Sequence, residues 1–255
     1  MGMATSFSVS GQKVLITGAS RGIGRALALA FSGGGAAVIA AARDTRKLEN
    51  LQQEIVATGG ECTVVSMDVA DLQSITAAFR FIEGEFGALD VLVNNAGVER
   101  LKGSLEVDEA TWDAIVDVNL KGAFFCAQGA AKLMLGKGGS ILNLCSLTSA
   151  VGVPGAVPYG SSKSGLLGMT RGLATEWAPL GIRVNAIGPG YFETDMTQVF
   201  YDDPQWQNTM RQKVPLGRLG RLDDLSGAAI FLSSAAASYI TGQVLYVDGG
   251  YLAGI

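Results

Sequence analysis

The sequence predicts an α/β fold in which a doubly wound parallel sheet of about seven strands is covered by helices on both faces. Short runs rich in valine, isoleucine and leucine alternate with longer amphipathic segments along the chain. The short runs lack a polar face, which indicates strands buried on both sides, as in a parallel sheet. The 255 residues, 48% of them hydrophobic, suit one large domain. No linker or internal repeat interrupts residues 1–255, so we expect a single domain.

The individual elements follow from this periodicity. Strands are predicted at 13–17, 37–41, 62–67, 90–94, 140–145, 183–187 and 243–247. Helices are predicted at 23–32, 45–57, 71–85, 108–134, 159–178 and 222–234. Residues 191–214 break the alternation, because they are mixed in polarity and rich in aromatic residues. They follow a strand end, where ligand crevices open in such sheets, so they form either a substrate lid or an ordinary helical insertion.

Charge and composition limit the partners and the location. The net charge is −4 and no basic run is present, which argues against a nucleic-acid partner. The longest apolar runs are too short to cross a bilayer, so no membrane partner is expected. The first residues lack the basic start and apolar stretch of a signal peptide, and we expect a cytoplasmic protein with reduced thiols. Gly2 followed by Ser6 fits the loose myristoylation pattern, with an unstructured leader as the alternative.

The chain contains no histidine. This absence excludes Ser–His–Asp hydrolases, Cys–His proteases and histidine-ligated zinc sites. The three cysteines, Cys62, Cys126 and Cys145, do not have the spacing of metal ligands. We therefore expect no metal site, and any proton transfer near neutral pH must use another residue type.

A glycine-rich stretch directly follows the first predicted strand and begins a helix. Residues 17–24 read TGASRGIG, in which Gly18, Gly22 and Gly24 allow a tight turn and a close approach of a pyrophosphate. The helix N-terminus offers free N–H groups and a positive dipole end to the anion. The spacing differs from the common G-x-G-x-x-G fingerprint, and glycines also serve ordinary turns. Its position between the first strand and its helix favours dinucleotide binding.

The end of the second strand indicates which dinucleotide is bound. An acid there binds a ribose 2′-hydroxyl, whereas an arginine accepts a 2′-phosphate. Here Ala42 precedes Arg43, and Arg21 in the glycine loop is a second guanidinium. Both arginines are otherwise surface charges, and Asp44 is a candidate for the ribose if the strand ran one residue longer. The sequence favours NADP(H) over NAD(H).

The next two strand ends carry further candidates for the site. Asp68 follows the third strand, and its carboxylate can accept from an adenine amino group. Ala96 and Gly97 follow the fourth strand and let the backbone pass close to a cofactor. Ordinary turn chemistry is the alternative in each case, and the position at successive strand ends favours the site.

Two residues one helical turn apart replace the missing histidine. Tyr159 and Lys163 lie at i and i+4 and therefore share one face of their helix. A free tyrosine has a pKa of about 10, and a nearby ammonium lowers it by favouring the phenolate. Ser146 ends the preceding strand and can hold a carbonyl oxygen, while Asn119 lies in a helix and can hold a water or a backbone carbonyl. Each residue alone is more often structural, and the conjunction favours catalysis.

Together these motifs resemble the short-chain dehydrogenase/reductase family over the whole chain. The matching stretches are TGASRGIG, NNAG at 94–97, the Asn119–Ser146–Tyr159–Lys163 set, GPG at 188–190 and VDGG at 247–250. The resemblance implies a Rossmann-type sheet and hydride transfer between C4 of the nicotinamide and a carbonyl or carbinol. It implies that Tyr159 is the general acid in reduction and that Lys163 lowers the pKa of Tyr159 and binds the nicotinamide ribose. It also implies that Ser146 orients the substrate and that Asn119 supports a proton-relay water. It also implies a homotetramer assembled partly through the helix of Tyr159.

Several of the cofactor contacts rest on this resemblance alone. The full set of expected contacts is Gly18, Ser20, Arg21, Gly22, Ile23, Gly24, Arg43, Asp68, Val69, Asn95, Ala96, Gly97, Tyr159, Lys163, Pro189, Gly190, Phe192 and Thr194.

Within the family, several stretches look like the gluconate 5-dehydrogenase branch, which implies D-gluconate and 5-keto-D-gluconate as substrates. These stretches include NNAGVER, NLCSLTS and GPGYFETDMT. Arg100 is either an attractor of a carboxylate substrate or a surface charge. The alternatives are a 3-oxoacyl thioester reductase, a broad-specificity ketone reductase and a catalytically silent NADPH sensor.

Overall fold

The computed structural model describes residues 6–195 and 197–255, and the strands within these ranges form one sheet. Gly2 of the acylation pattern lies outside the described residues. The strands are β1 (Lys13–Thr17), β2 (Ala37–Ala42), β3 (Glu61–Ser66), β4 (Val91–Asn94), β5 (Gly139–Leu144), β6 (Ile182–Pro189) and β7 (Val244–Val247). They pair in parallel in the order β3-β2-β1-β4-β5-β6-β7. The predicted fold class is confirmed.

Helices connect successive strands and cover the sheet. They are α1 (Gly22–Gly33), α2 (Thr45–Ala57), α3 (Leu72–Phe86), α4 (Glu109–Val116), α5 (Ala123–Met134), α6 (Val157–Trp177), α7 (Gln198–Tyr201), α8 (Pro204–Lys213) and α9 (Ser226–Ser233). Asp44, Asp71 and Asp108 cap α2, α3 and α4 by accepting from backbone N–H groups of the first turn. Within the described ranges, none of these helices has the length and apolar character needed to span a membrane.

Both faces of the sheet are buried, as the apolar strands predict. Along β1, Val14 and Ile16 pack with α1, α2 and α9, whereas Leu15 between them packs with α3, α5 and α6. Successive side chains of a strand point to opposite faces, so each strand contributes to both cores. All three side chains are fully buried. Each such side chain contributes about 1.5–3 kcal/mol relative to exposure.

The sequence predicted one continuous helix over 108–134, but the α-helix is interrupted in the middle of this range. The α-helical hydrogen bonds stop after α4, and residues Asp117–Gly122 form a π-helical segment before α5 begins. At its end the backbone passes so close to the loop after β3 that a Cβ on Gly122 would lie 2.1 Å from the carbonyl oxygen of Val69. Such π-segments are frequent at functional sites, and this one contains Asn119.

The strand order places a crevice beside β1. Because β2 and β3 extend the sheet on one side of β1 and β4 to β7 extend it on the other, the order reverses at β1 and β4. Helices of the two halves leave in opposite directions there, and open α/β sheets bind ligands at this point, beyond the carboxyl ends of the strands. The predicted site residues follow those strand ends.

Candidate active site

A cavity of about 700 Å³ opens at the carboxyl ends of the strands. This volume lies within the range of small-molecule and cofactor sites. Its lining contains all the predicted site residues except Gly24 and Asn119: Gly18, Ser20, Arg21, Gly22, Ile23, Arg43, Asp68, Val69, Asn95, Ala96, Gly97, Ser146, Tyr159, Lys163, Pro189, Gly190, Phe192 and Thr194. The fold therefore brings together residues that are up to 176 positions apart in the sequence (194 − 18 = 176).

The glycine loop has the conformation that an anion site needs. Gly18 and Gly22 have φ values of +68° and +54°, in the left-handed region that favours glycine. Arg21 is the N-cap of α1, and its side chain makes no capping hydrogen bond to the first turn. The N–H groups of that turn therefore remain available beside the cavity, and a pyrophosphate fits this cradle.

Gly24 contributes by close packing and does not line the cavity. A Cβ at this position would lie 2.4 Å from both the side-chain nitrogen of Asn95 and the carbonyl oxygen of Gly18. Asn95 itself joins β4 to the glycine loop, because its Nδ2 donates to the carbonyl oxygens of Thr17 at 2.9 Å and of Gly18 at 3.2 Å. The Thr17 hydroxyl accepts from the N–H groups of Asn95 and Ala96, each at 3.1 Å. Sequence reasoning missed Thr17, whose position at the end of β1 was the available signal.

The end of β2 presents positive charge to the cavity. Arg43 lines the cavity, is 70% exposed in its side chain and lies 3.8 Å from the Asp68 carboxylate. Asp44 instead caps α2, with a carboxylate oxygen 3.1 Å from the N–H of Lys47. The side chain of Lys47 also lines the cavity and was missed. Arg21 lies 3.3 Å from Asp195 across the cavity mouth. A 2′-phosphate fits this arrangement, since the Arg43 side chain is largely exposed and the Asp44 carboxylate is engaged in capping α2.

Tyr159 and Lys163 extend from the first turns of α6 toward the end of β5. Lys163 is 4% exposed, donates to the carbonyl oxygen of Leu144 at 2.5 Å and lies 5.6 Å from the centre of the Tyr159 ring. Burial disfavours the ammonium form and lowers the pKa of Lys163 to about 8, against opposing effects from Cys145 and Glu99. The lysine is therefore close to the tyrosine but is held by the strand carbonyl.

The expected lowering of the tyrosine pKa by Lys163 was wrong. Burial raises the pKa of Tyr159 above its ordinary value, and the negative charge of Glu99 raises it further. A hydrogen bond with Ser146 acts in the opposite direction but is weaker. The reason is geometric, because the ammonium lies over the ring and bonds Leu144 instead of meeting the phenol oxygen. Tyr159 is consequently a protonated phenol at neutral pH.

Asn119 holds the backbone behind the site. Its Oδ1 accepts from the N–H of Val98 at 2.8 Å, and its Nδ2 donates to the carbonyl oxygen of Val98 at 2.9 Å. Nδ2 also lies 3.1 Å from the Ser162 hydroxyl, which in turn donates to the carbonyl oxygen of Tyr159 at 2.7 Å. The predicted grip on a backbone carbonyl is present, and it links the loop after β4 to α6.

Several described residues of the segment 191–214 line the cavity. Tyr191, Tyr201 and Trp206 line it, with ring centres 5.5 Å apart for Tyr191 and Trp206 and 5.4 Å apart for Tyr201 and Trp206. The buried hydroxyl of Tyr201 has no hydrogen-bond partner among the described residues. Met196 lies outside the described residues, and a lid role for 191–214 stays a prediction. Arg100 is exposed and does not line the cavity.

Sequence reasoning also missed Glu99, which lines the cavity beside the catalytic candidates. Its charge acts on both Tyr159 and Lys163. The available signal was an acid two residues after the NNAG stretch, whose other members were already assigned to the site.

Comparisons with known proteins agree with this geometry. A family model described as Enoyl-(Acyl carrier protein) reductase matches residues 18–252. The chain is 38% identical over 245 residues to gluconate 5-dehydrogenase of Gluconobacter oxydans, covering 96% of each chain. It is 41% identical to the 3-oxoacyl-[acyl-carrier-protein] reductase of Staphylococcus aureus, covering 94% of this chain and 97% of that one. A gluconate 5-dehydrogenase from Burkholderia cenocepacia, solved with NADP and tartrate, superposes with a TM-score of 0.95 at 37% identity, over 98% and 99% of the two chains.

Proposed function

Because this chain belongs to the short-chain dehydrogenase/reductase family, we propose that it is an NADP(H)-dependent oxidoreductase acting on a small polar ketone and the corresponding secondary alcohol. The observation that carries this proposal is the joint placement of Ser146, Tyr159 and Lys163 on the wall of the cavity that contains the glycine loop. A nicotinamide cofactor supplies the hydride when it is bound.

The chain's own residues supply the proton and the polarisation. The Ser146 hydroxyl donates to the substrate carbonyl oxygen and orients it beside Tyr159. Tyr159 then gives its phenolic proton to this oxygen as negative charge develops on it. The raised pKa keeps the phenol protonated at neutral pH, which is the form that reduction requires. Lys163 stabilises the phenolate that remains, and burial makes its charge effective.

The preference for NADP(H) rests on the end of β2. Arg43 and Lys47 line the cavity there, Ala42 takes the place of an acid, and the carboxylate of Asp44 is engaged in capping α2. An arginine fork binds a phosphate with two parallel hydrogen bonds. The Burkholderia relative was solved with NADP, which supports the same choice for this chain.

The substrate that we propose is a sugar acid of the D-gluconate and 5-keto-D-gluconate type. Two gluconate 5-dehydrogenases match the chain almost end to end. The aromatic residues Tyr191, Tyr201 and Trp206 line the cavity and can pack against the C–H groups of a sugar acid. The second candidate is a 3-oxoacyl thioester reductase, which the identity to the Staphylococcus protein favours.

An NADPH-oxidation panel tests these alternatives. It contains 5-keto-D-gluconate, an acetoacetyl thioester and a bulky aryl ketone, each measured with NADPH and with NADH. We expect the highest kcat/KM for 5-keto-D-gluconate with NADPH. A preference for the thioester would establish the second candidate, and a preference for the aryl ketone would indicate a broad-specificity reductase. NADPH binding without turnover of any ketone would indicate a silent sensor and contradict the proposal.

We also propose that the protein assembles as a homotetramer through α6. The outer face of this helix carries Ser161, Ser164, Gly168 and Gly172, all exposed. A Cβ on Gly168 or Gly172 would contact nothing within 4 Å, so a second copy can approach the helix closely. Light scattering coupled to size-exclusion chromatography measures the mass directly. A mass equal to that of one chain would contradict this proposal.

A further inference from the structure

The cavity contains a carboxylate that the proposed reaction does not use. Glu99 lines the cavity with Ser146, Tyr159 and Lys163 and is half-buried. It forms no hydrogen bond and no ion pair with another described residue. Carboxylates withdrawn from water are costly unless they accept hydrogen bonds. The Glu99 carboxylate is therefore a hydrogen-bond acceptor in the cavity that a substrate hydroxyl can satisfy.

The backbone around Glu99 is fixed. The preceding residue, Val98, has its N–H and its carbonyl oxygen bound by the Asn119 side chain at 2.8 and 2.9 Å. One residue earlier, a Cβ on Gly97 would lie 3.6 Å from Nζ of Lys163. Glu99 thus follows a segment that is held against the catalytic lysine, so its position in the cavity is set by the scaffold.

The surroundings of Glu99 do not neutralise it completely. Burial raises the pKa of its carboxyl, and the charge of Lys163 lowers that pKa. The Lys163 ammonium meanwhile donates to the carbonyl oxygen of Leu144 and makes no direct ion pair with Glu99. Arg100, the adjacent cation in sequence, is exposed and does not line the cavity. The Glu99 carboxylate therefore has no direct ion-pair partner among the described residues, at the end of the cavity where the ketone reacts.

We infer that Glu99 determines which ketones the site accepts: its carboxylate accepts a hydrogen bond from a hydroxyl group beside the reacting carbonyl, and its charge excludes a carboxylate at that position. This inference rests on the proposed function, since it concerns the substrate of that reaction. It deepens the proposal, because a sugar acid must then enter with its carboxylate away from the catalytic end. Such selection by an unfavourable contact with the wrong substrate is as effective as added attraction for the right one.

Two isomeric sugar acids separate these effects. In 5-keto-D-gluconate the carbonyl lies between two hydroxyl-bearing carbons, and the carboxylate is at the other end of the molecule. In 2-keto-D-gluconate the carboxylate is bonded directly to the carbonyl carbon. The isomers have the same charge and the same number of hydroxyl groups. Hydroxyacetone and pyruvate repeat this contrast on three carbons, without the rest of the sugar acid.

The test compares wild type with Glu99→Gln, which keeps the size of the side chain and removes its charge. Glu106→Gln is the matched control, because Glu106 lies in the same connection after β4 but is exposed and does not line the cavity. We expect Glu99→Gln to lower kcat/KM about 5-fold to 10-fold for 5-keto-D-gluconate and hydroxyacetone, because the amide oxygen still accepts the hydrogen bond but a charged acceptor binds about twice as strongly as a neutral one. For 2-keto-D-gluconate and pyruvate kcat/KM should rise about 10-fold, as repulsion is relieved. Glu106→Gln should leave all four values unchanged.

The outcomes distinguish this inference from the proposed function. If 5-keto-D-gluconate is reduced but Glu99→Gln leaves the ratio between the isomers unchanged, the inference on Glu99 is wrong and the proposed function stands. If wild type reduces hydroxyacetone but not 5-keto-D-gluconate, and Glu99→Gln changes the hydroxyacetone-to-pyruvate ratio, the sugar-acid assignment is wrong and the role of Glu99 stands. If wild type reduces none of the four, both are overturned. NADPH binding by fluorescence, measured for every variant, shows that the fold is intact.

Discussion

Replacing Lys163 by methionine should change the pH dependence of stability, because the site holds an ammonium where burial disfavours charge. Lys163 is 4% exposed, and its pKa falls from an ordinary 10.5 to about 8 in the folded protein. The folded state therefore binds this proton less tightly than the unfolded state. Below pH 8 the ammonium is present in both states and destabilises the fold. Between pH 8 and 10.5 the folded state loses the proton first, so the destabilisation that Lys163 causes becomes smaller as the pH rises.

The magnitude follows from these two pKa values. By the linkage relation, the lowered pKa of Lys163 reduces the free energy of unfolding by about 3.4 kcal/mol at about pH 7 and by about 0.8 kcal/mol at about pH 10. Lys163→Met has no titratable group at this position, so the position makes no pH-dependent contribution to the stability of the variant. The free energy of unfolding of wild type minus that of Lys163→Met should therefore increase by about 2–3 kcal/mol from about pH 7 to about pH 10. The lost hydrogen bond to Leu144 adds an offset that is common to both ends of the range.

Urea denaturation followed by tryptophan fluorescence measures this difference at a fixed protein concentration and several pH values. Lys137→Met is the control, because Lys137 is exposed and lies far from the cavity lining. The free energy of unfolding of wild type minus that of Lys137→Met should stay nearly constant with pH. A constant difference for Lys163→Met as well would refute the reasoning, and so would a difference that falls as the pH rises.

Two further predictions concern the cofactor and the packing of the glycine loop. Arg43→Ala should weaken NADPH binding about 10-fold to 100-fold and leave NADH binding nearly unchanged, because only the 2′-phosphate loses a charged partner; equal losses for both cofactors, measured by fluorescence titration, would contradict the choice of NADP(H). Gly24→Ala should destabilise the protein by about 1–3 kcal/mol, because a methyl group overlaps Asn95 and Gly18. Gly84→Ala, on an exposed and open position of α3, should instead stabilise it by about 0.5–1 kcal/mol; thermal melts of the two variants that shift in the same direction would show that contact at Gly24 is not the cause.

The fold could be predicted from the sequence because its signals are local. Continuous apolar runs such as that of β1 predict strands buried on both faces, and therefore a parallel sheet. The TGASRGIG stretch predicts the anion cradle at the start of α1. The interruption after α4 could not be predicted, since it depends on the bonds of Asn119 with Val98 and on the close approach of Gly122 to Val69. Both contacts join segments distant in sequence, and no local pattern encodes them.

The candidate site shows the same division. The spacing of Tyr159 and Lys163 placed both on one face of α6, and the structure brings them together. The direction of the tyrosine pKa was predicted wrongly, because spacing gives proximity but does not give burial or the competing bond from Lys163 to Leu144. Glu99 was missed for a related reason: an acid in a loop looks solvated until the fold encloses it.

The central claim is that the phenol of a partly buried tyrosine, without histidine, transfers the proton in this active site. Tyr159→Phe tests it most directly, because this change removes the phenolic oxygen and keeps the ring. We expect NADPH binding within about 2-fold of wild type, as the ring and the cavity are retained, and a loss of at least about 100-fold in kcat for reduction of the ketone, the contribution typical of general acid catalysis. Full turnover by Tyr159→Phe, with NADPH still bound, would contradict the account.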